Sequence, residues 1–349
     1  MKIIASATTS NIASGFDVLG IALDLFLEVE IKDDSDTFKI YGTSQQYCNE
    51  DNLIVKGIKK VFEQYDKNYW NKIKNNISIK LKSDIPIARG LGSSAACIAT
   101  GLVFANEYLY EKQNVKRLSK NELVRLGTEL EGHPDNISAA ILGGMTASSI
   151  DKEKKLVYSQ KILIDYDFLK KFDFYVLIPD FEVKTEMARK LLPSTVEFKD
   201  AVFNLSRLAL LFTALINKDE DLFAISFDDR LHQRYRSKLI YKYDEVINYT
   251  KESGAIASFI SGSGSSIVAI VKKSKIKDED KCIIKDKYKS KSEVIDKYKD
   301  KDKNKSKDEV EFNDFEEKLR EKLKNIEEKY NRIWQIKNVR INLEGVRVI

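Results

Sequence analysis

From the amino terminus, apolar and polar positions alternate as they do in paired strands: Lys2-Ile3-Ile4-Ala5, then Leu25 to Ile31, then Phe38 to Tyr41. From Asn52 to Phe62 the apolar spacing turns helical, and Ile77-Ser78-Ile79-Lys80-Leu81 returns to alternation. That strand runs into a Pro- and Gly-containing loop at Pro86 to Gly92, followed by the small-residue run Ser93 to Gly101. The order is strand, glycine-rich loop, helix. Helical periodicity recurs over Glu122 to Glu131, and the turn Gly132-His133-Pro134-Asp135-Asn136 leads to a second small-residue helix, Ile137 to Leu142. The segment Phe174 to Ile178 reads as a buried strand ending at Pro179, with helices expected at Ala201 to Leu215 and Leu239 to Thr250. Ser258 to Ile260 and Ile267 to Val271 read as strands on either side of the turn Gly262-Ser263-Gly264. Phe315, Leu319, Leu323 and Ile326 recur at helical spacing, Ile333 to Ile341 alternates as a strand, and Val346 to Ile349 closes the chain.

Composition changes this picture at one place. The net charge of +5 suggests an anionic partner, but residues 272–308 hold 15 Lys against 9 Asp or Glu, leaving 44 basic and 45 acidic residues elsewhere. The basicity belongs to one tract. Its Lys, Asp and Ser repeat with almost no apolar residue, so it is expected to be a disordered insertion between a strand and a helix. The Lys are interleaved with acids, which makes phosphate binding by the tract weak and nucleic acid an unfavoured partner. Apolar stretches such as Ile256 to Ile270 are interrupted by Ser and Gly and fall short of a membrane span of roughly 20 residues. The first residues lack a signal-peptide core, and a cytoplasmic location without membrane attachment is expected. Cys48, Cys97 and Cys282 are odd in number and widely spaced, and read as plain thiols.

The strongest chemical signal is Pro86-Ile87-Ala88-Arg89-Gly90-Leu91-Gly92-Ser93-Ser94-Ala95-Ala96. Glycines let the backbone approach an anion, and the N–H groups that open the next helix favour a phosphate there. A Ser hydroxyl in the first turn can reach Mg²⁺. The spacing is neither that of the P-loop nor that of the dinucleotide-binding fingerprint. A bare strand-to-helix turn is the plain alternative for any short Gly-Ser loop, and an eleven-residue pattern weakens it.

This loop resembles the signature loop of the GHMP kinases, the superfamily of galactokinase, homoserine, mevalonate and phosphomevalonate kinases. Two further stretches are similar to the family's motifs and fall in its order: Asn11-Ile-Ala-Ser-Gly-Phe-Asp17, and Ser261-Gly-Ser-Gly-Ser-Ser266. Ser14 stands where the family usually has Pro, and Gly264-Ser-Ser266 replaces the usual Gly-Pro-Thr or Gly-Pro-Ser. Within the superfamily, Glu131-Gly-His-Pro-Asp-Asn136 and the short N-terminal motif resemble the homoserine kinase branch.

The resemblance implies an α+β fold of two lobes, a ribosomal-protein-S5-like lobe over residues 1–165 and a ferredoxin-like lobe over 166–349 interrupted at 272–308. It implies ATP-dependent phosphorylation of the L-homoserine hydroxyl, a step toward threonine, with ATP and Mg²⁺, and a family tendency to form homodimers. Asn11, Asp17, His133 and Asn136 would line the amino-acid site, with Asp17 facing the substrate ammonium. Thr185, Arg189 and Arg236 would hold its carboxylate, a task suited to guanidinium forks. Residues 86–96 would cradle the ATP phosphates, Asn52 would contact adenine, and Ser94 with Glu129 would bind Mg²⁺, Glu131 competing for the second place. Taken singly, each has an ordinary structural reading: a turn carboxylate, a hydrogen-bonding histidine, a surface arginine. Three other functions stay open: a mevalonate-type kinase of another small alcohol, an acidic-partner-binding protein acting through the Lys-rich tract, and a ligand sensor without catalysis.

Overall fold

The computed structural model describes residues 1–151, 153–154, 156–273 and 314–349. Two sheets carry the chain. The first has seven strands: β1 (Lys2–Ser10), β2 (Leu19–Lys32), β3 (Lys39–Tyr41), β4 (Ser78–Ser83), β5 (Met145–Asp151), β6 (Leu156–Lys161) and the last strand, β11 (Arg347–Val348). Their order is β11-β1-β2-β4-β3, with β5 on the free stretch of β2 and β6 on β5. The second sheet is antiparallel, in the order β10-β7-β9-β8, from β7 (Phe172–Pro179), β8 (Ala255–Ile260), β9 (Ile267–Lys272) and β10 (Trp334–Val339). The chain thus returns from the second sheet to the first at its end, where Ile3 pairs with Val348.

β1 extends five residues past the alternation that announces it. From Ala5 to Ser10 every residue is buried, so the in-out period vanishes. Its hydroxyls are satisfied within the fold: Ser6 accepts from Asn342, Thr8 donates to Asn136, Ser10 accepts from Asn136 and Thr9 accepts from Ser261. On β5 and β6 hydroxyl residues take the buried positions, so no apolar alternation marks them. Thr146, Ser148 and Ser159 are buried on them, and the Ser148 hydroxyl bonds to those of Ser138 and Ser159 at 2.8 and 3.1 Å.

Helices α1 (Leu53–Phe62), α2 (Tyr69–Ile73), α3 (Ser93–Gln113), α4 (Lys120–Glu131) and α5 (Asp135–Leu142) belong to the first half. α4 starts at a capping box in which Ser119 and Glu122 satisfy each other's orphan N–H groups. α6 (Tyr166–Leu169), α7 (Thr185–Lys190), α8 (Phe198–Asn217), α9 (Glu220–Ile225), α10 (Gln233–Arg236) and α11 (Tyr243–Glu252) follow, and a helix at Asp314–Tyr330 lies before β10. α11 begins four residues later than its periodicity suggests. Ile240 is extended and Lys242 is left-handed (φ 57°), which breaks the helix there.

α8 qualifies the expectation that the apolar stretches fall short of a membrane span. Among the described residues, Phe198–Asn217 is the one helix long and apolar enough to cross a membrane by length and composition. Asp200, Asn204, Leu211, Ala214 and Leu215 nevertheless lie buried against the protein. Lys272 closes β9, and residues 274–308 of the expected disordered insertion lie outside the described residues, as does Cys282.

Candidate functional site

The three motifs meet in one cleft. Gly90 and Gly92 both have positive φ (72° and 66°), and a Cβ on either would collide, at Gly90 with the Ser261 carbonyl (2.1 Å) and at Gly92 with the Thr8 hydroxyl (1.8 Å). Only glycine lets the 86–92 loop lie this close to both lobes. The loop is gripped from the C-terminal half. Ser261 Oγ donates to the Gly90 carbonyl at 2.7 Å, Ser266 N to the Arg89 carbonyl at 3.1 Å, and Val183 N to the Ala88 carbonyl at 3.2 Å. Arg89 reaches the opposite way, donating to the carbonyls of Pro179 and Asp180 at 2.9 and 3.0 Å. α3 opens at Ser93, where its first N–H groups have no intrahelical partner and Ser93 and Ser94 line the cleft. Ala95 and Ala96 are buried behind that opening, and Ile87 is exposed at its outer edge.

The cleft is open to solvent and has a cavity volume of about 90 Å³. Besides Pro86 and Ala88 to Ser94, its wall includes Asn11, Glu131, His133, Asn136, Thr185, Arg189 and Arg236, together with Gly262 and Ser263. Asp17 stands just behind it. Arg189 donates to both its oxygens, at 3.0 and 2.7 Å, and Asp17 N donates to Asn11 Oδ1 at 2.9 Å. Asn11, Ala13 and Asp17 all have φ near +50°, so this short segment holds backbone strain that the surrounding contacts must maintain. Thr185 Oγ1 lies 3.2 Å from Ser263 Oγ.

Arg236 is buried. Its Nη1 donates to the Gly262 carbonyl at 2.8 Å, its guanidinium lies over the Phe16 ring at 4.9 Å, and its Nε has no partner among the described residues. Burial, with Arg189 nearby, pulls its pKa down to about 10. A buried guanidinium with an unpaired donor and a cleft before it is suited to an incoming carboxylate.

His133 and Asn136 hang on a residue the motif analysis did not single out. Asp135 is fully buried, and its Oδ1 lies 2.8 Å from His133 Nδ1 and accepts from Asn136 N at 2.8 Å. Burial works against charge on the His133 ring, but the Asp135 carboxylate outweighs it and raises the pKa. The only cue was Asp135's place inside His-Pro-Asp-Asn. Asn136 in turn accepts from Thr8 and donates to Ser10, each at 2.7 Å, so β1 fixes its amide. Phe16, too, was missed; it stacks on buried His232 with ring centroids 5.2 Å apart.

Two expected positions fall elsewhere. Glu129 takes Arg125 at 2.5 Å and Lys60 at 2.9 Å and is no part of the cleft wall. Residues two apart on a helix point to nearly opposite sides, and so it is Glu131 that meets Ser94, whose hydroxyl donates to it at 2.5 Å. Burial raises the Glu131 pKa, with the Ser94 hydrogen bond pulling the other way. Asn52 caps α1, accepting from Ile54 N at 2.9 Å and donating to the Tyr47 carbonyl at 2.8 Å, which uses both ends of its amide away from the cleft.

The family profile of the GHMP kinases N terminal domain matches residues 52–144, and that of the GHMP kinases C terminal matches 211–290. The homoserine kinase of Clostridium beijerinckii is 41% identical over 265 residues, covering 76% of this chain and 84% of its own. This chain belongs to the homoserine kinase branch of the GHMP kinases. As a GHMP kinase it is an ATP-dependent small-molecule kinase. The crystal structure of homoserine kinase from Cytophaga hutchinsonii superposes with a TM-score of 0.72 at 23% identity, covering 100% of this chain and 97% of that one. The Methanococcus jannaschii mevalonate kinase superposes with a TM-score of 0.61 at 17% identity and 98% coverage of both chains. Both structural likenesses speak for the GHMP kinase fold alone.

Proposed function

We propose that this GHMP kinase transfers the γ-phosphoryl group of ATP to the side-chain hydroxyl of L-homoserine, giving O-phospho-L-homoserine and ADP on the way to threonine. One observation carries the reading: a glycine-built anion cradle opens onto a pocket walled by the guanidinium groups of Arg189 and Arg236, with the Asp17 carboxylate paired to Arg189 just behind the wall and Glu131 on the cradle side beside Ser94. An α-amino acid has the complementary charges. In the ligand-free cleft Asp17 and Arg189 neutralise each other; a zwitterion offers an ammonium to the first and a carboxylate to the second, with Arg236 and Thr185 closing on the carboxylate. An acceptor without an ammonium group, such as mevalonate, would turn Arg189 toward its carboxylate and leave Asp17 without a cation. That favours the amino acid.

The ATP phosphates are assigned to the 86–96 loop and the α3 N-terminus. Transfer proceeds through a loose transition state, so alignment and charge stabilisation supply most of the acceleration. Asn11, His133 and Asn136 are assigned to orienting the acceptor hydroxyl, Asp135 holding His133 in place. Ser94 and Glu131 offer a hard divalent cation two oxygen donors, and phosphate oxygens and water would complete the shell. The pair therefore fits Mg²⁺. When bound, Mg²⁺ would neutralise charge building on the phosphoryl oxygens.

A coupled ADP-release assay on the purified chain, with Mg²⁺ and separately L-homoserine, mevalonate, galactose and L-threonine, tests the reading. Turnover with homoserine alone is expected. Turnover with a different alcohol would keep the kinase and discard the substrate.

A further inference from the structure

Arg89 belongs to the glycine-rich loop, yet its side chain is engaged outside it. Nε donates to the Pro179 carbonyl at 2.9 Å, Nη2 to the Asp180 carbonyl at 3.0 Å and Nη1 to the Ile87 carbonyl at 3.0 Å, with Glu182 3.3 Å from Nη1. Pro179 ends β7, and residues 180–184 run from there as a short strap to Thr185, the first residue of α7. The loop grips this strap again further along, where Val183 N donates to the Ala88 carbonyl at 3.2 Å. On its other side the strap meets the 261–266 turn: Ser265 Oγ donates to the Phe181 carbonyl at 2.7 Å, and Ser263 Oγ lies 3.2 Å from Thr185 Oγ1.

α7 has little core of its own. Of its six residues Ala188 alone is buried, so hydrogen bonds and ion pairs, rather than apolar packing, fix its place. One of those contacts is the Arg189–Asp17 pair, which an entering amino acid must open. Building on the reading above, with ATP on the loop and homoserine at Arg189, we propose that Arg89 is a positioning residue that ties the two sites together. Phosphates on the loop hold one end of its bridge, and the bridge keeps the strap and α7 seated while Arg189 changes partner. The amino acid then no longer bears the cost of ordering α7, and it binds more tightly. By linkage, homoserine tightens the nucleotide by the same factor.

The chemistry of the contacts favours this role over a direct one on the phosphates. All three guanidinium nitrogens of Arg89 already face carbonyl oxygens. A planar fork spans carbonyls on adjacent residues, which a Lys ammonium on a flexible stem does not reproduce. The ion pair with Glu182 adds little, because that carboxylate is 56% exposed and screened by water.

Isothermal titration calorimetry of the full chain with L-homoserine, with and without saturating Mg²⁺ and the non-hydrolysable analogue AMP-PNP, tests the proposal. In the wild type the nucleotide is expected to tighten homoserine about tenfold, an ordinary size for coupling between two sites. R89Q should bring that factor below about twofold, and so should R89K, which keeps the charge and serves if R89Q folds poorly. E182Q should keep the wild-type factor. A defect that merely loosened the fold would weaken homoserine equally with and without nucleotide, and the factor would stay at about ten. A wild type whose homoserine affinity AMP-PNP leaves unchanged would overturn the proposal, as would either Arg89 variant that kept the full factor or an E182Q that lost it. Should the turnover panel identify a different alcohol, the substrate reading fails, and the same titration with that alcohol decides the role of Arg89.

Discussion

The two halves of the cleft are built on opposite plans. The proposed phosphate cradle is one run of eleven residues in which glycines keep the loop tight against Thr8 and Ser261 and backbone N–H groups are assigned the anion. The proposed amino-acid pocket is assembled from side chains at Asn11, Asp17, His133, Asn136, Thr185, Arg189 and Arg236, drawn from four separate segments. The cradle has one shape, pinned by hydrogen bonds from both halves of the chain. In the pocket Asp17 holds Arg189 while Arg236 keeps one donor unpaired, so an entering amino acid must exchange one pair and can fill the other donor. A defect in the cradle should therefore slow transfer to every acceptor, while a defect in the pocket should act through homoserine affinity.

The sharpest break in that comparison is Gly92→Ala. Its Cβ would lie 1.8 Å from Thr8 Oγ1, in a left-handed backbone that alanine disfavours, and Thr8 is the donor that holds Asn136. Displacing the loop by about 1 Å should lower kcat roughly 100-fold, with a native circular dichroism spectrum. A loss under threefold would mean that the cradle tolerates a looser fit. Next comes Arg236→Lys. It keeps a charge but not the planar fork, and should raise the homoserine KM about 30-fold, near 2 kcal/mol for a charged hydrogen bond, with kcat within threefold of wild type. An equal fall in kcat would place Arg236 in the transfer step instead.

The same contrast explains what could be read in advance. The cradle is contiguous, so its residue types and spacing lay open in the sequence, as did the Asn11 to Asp17 turn. The pocket's partnerships did not, because Asp17 and Arg189 are 172 residues apart and nothing local says they meet. Glu129 and Glu131 could not be separated by motif; the helix phase of α4 decides between them, because residues two apart lie about 200° apart around the axis. Asn52 looks available in the sequence, yet its carbonyl oxygen caps α1 and its amide nitrogen donates to the Tyr47 carbonyl. The doubly buried β7 and β9 were legible as apolar runs, and strands were lost where hydroxyl residues take the buried positions, as in β1 beyond Ala5 and on β5 and β6. The helical periodicity of α8 signalled a helix but not which of its faces the protein would leave uncovered.

Asp17→Asn should have a smaller effect than Arg236→Lys. The neutral amide cannot compensate an ammonium ion, but it also frees Arg189 from the bidentate pair, so part of the lost attraction returns as a carboxylate partner without competition. The homoserine KM should rise about tenfold, or 1.4 kcal/mol, within the range for a charged hydrogen bond. A variant with unchanged KM would mean that the ammonium is read elsewhere.

The smallest effect lies beneath the pocket, in stability rather than turnover. His232 is fully buried, with Nε2 3.1 Å from the Ala13 carbonyl and the Phe16 ring stacked upon it. Burial holds its pKa below 6.5; the Asp229 carboxylate, 3.8 Å away, favours the proton, and nearby Arg236 opposes it. Between the folded and unfolded pKa values the unfolded chain binds a proton that the folded chain refuses. The contribution is therefore complete above pH 6.5 and drains away as pH falls toward the depressed folded value. His133 has the opposite sign, since its raised pKa lends stability that is complete below pH 6.5 and is lost as pH rises through the folded value. Net melting curves mix the two, and comparing His232→Gln with wild type separates them. The wild type should lose a few degrees more in melting temperature than the variant between pH 7.5 and 5.5. Parallel pH profiles for the two proteins would show that His232 takes up its proton as readily folded as unfolded. The strained turn at Asn11 to Asp17 would then rest on something other than a neutral ring beneath it.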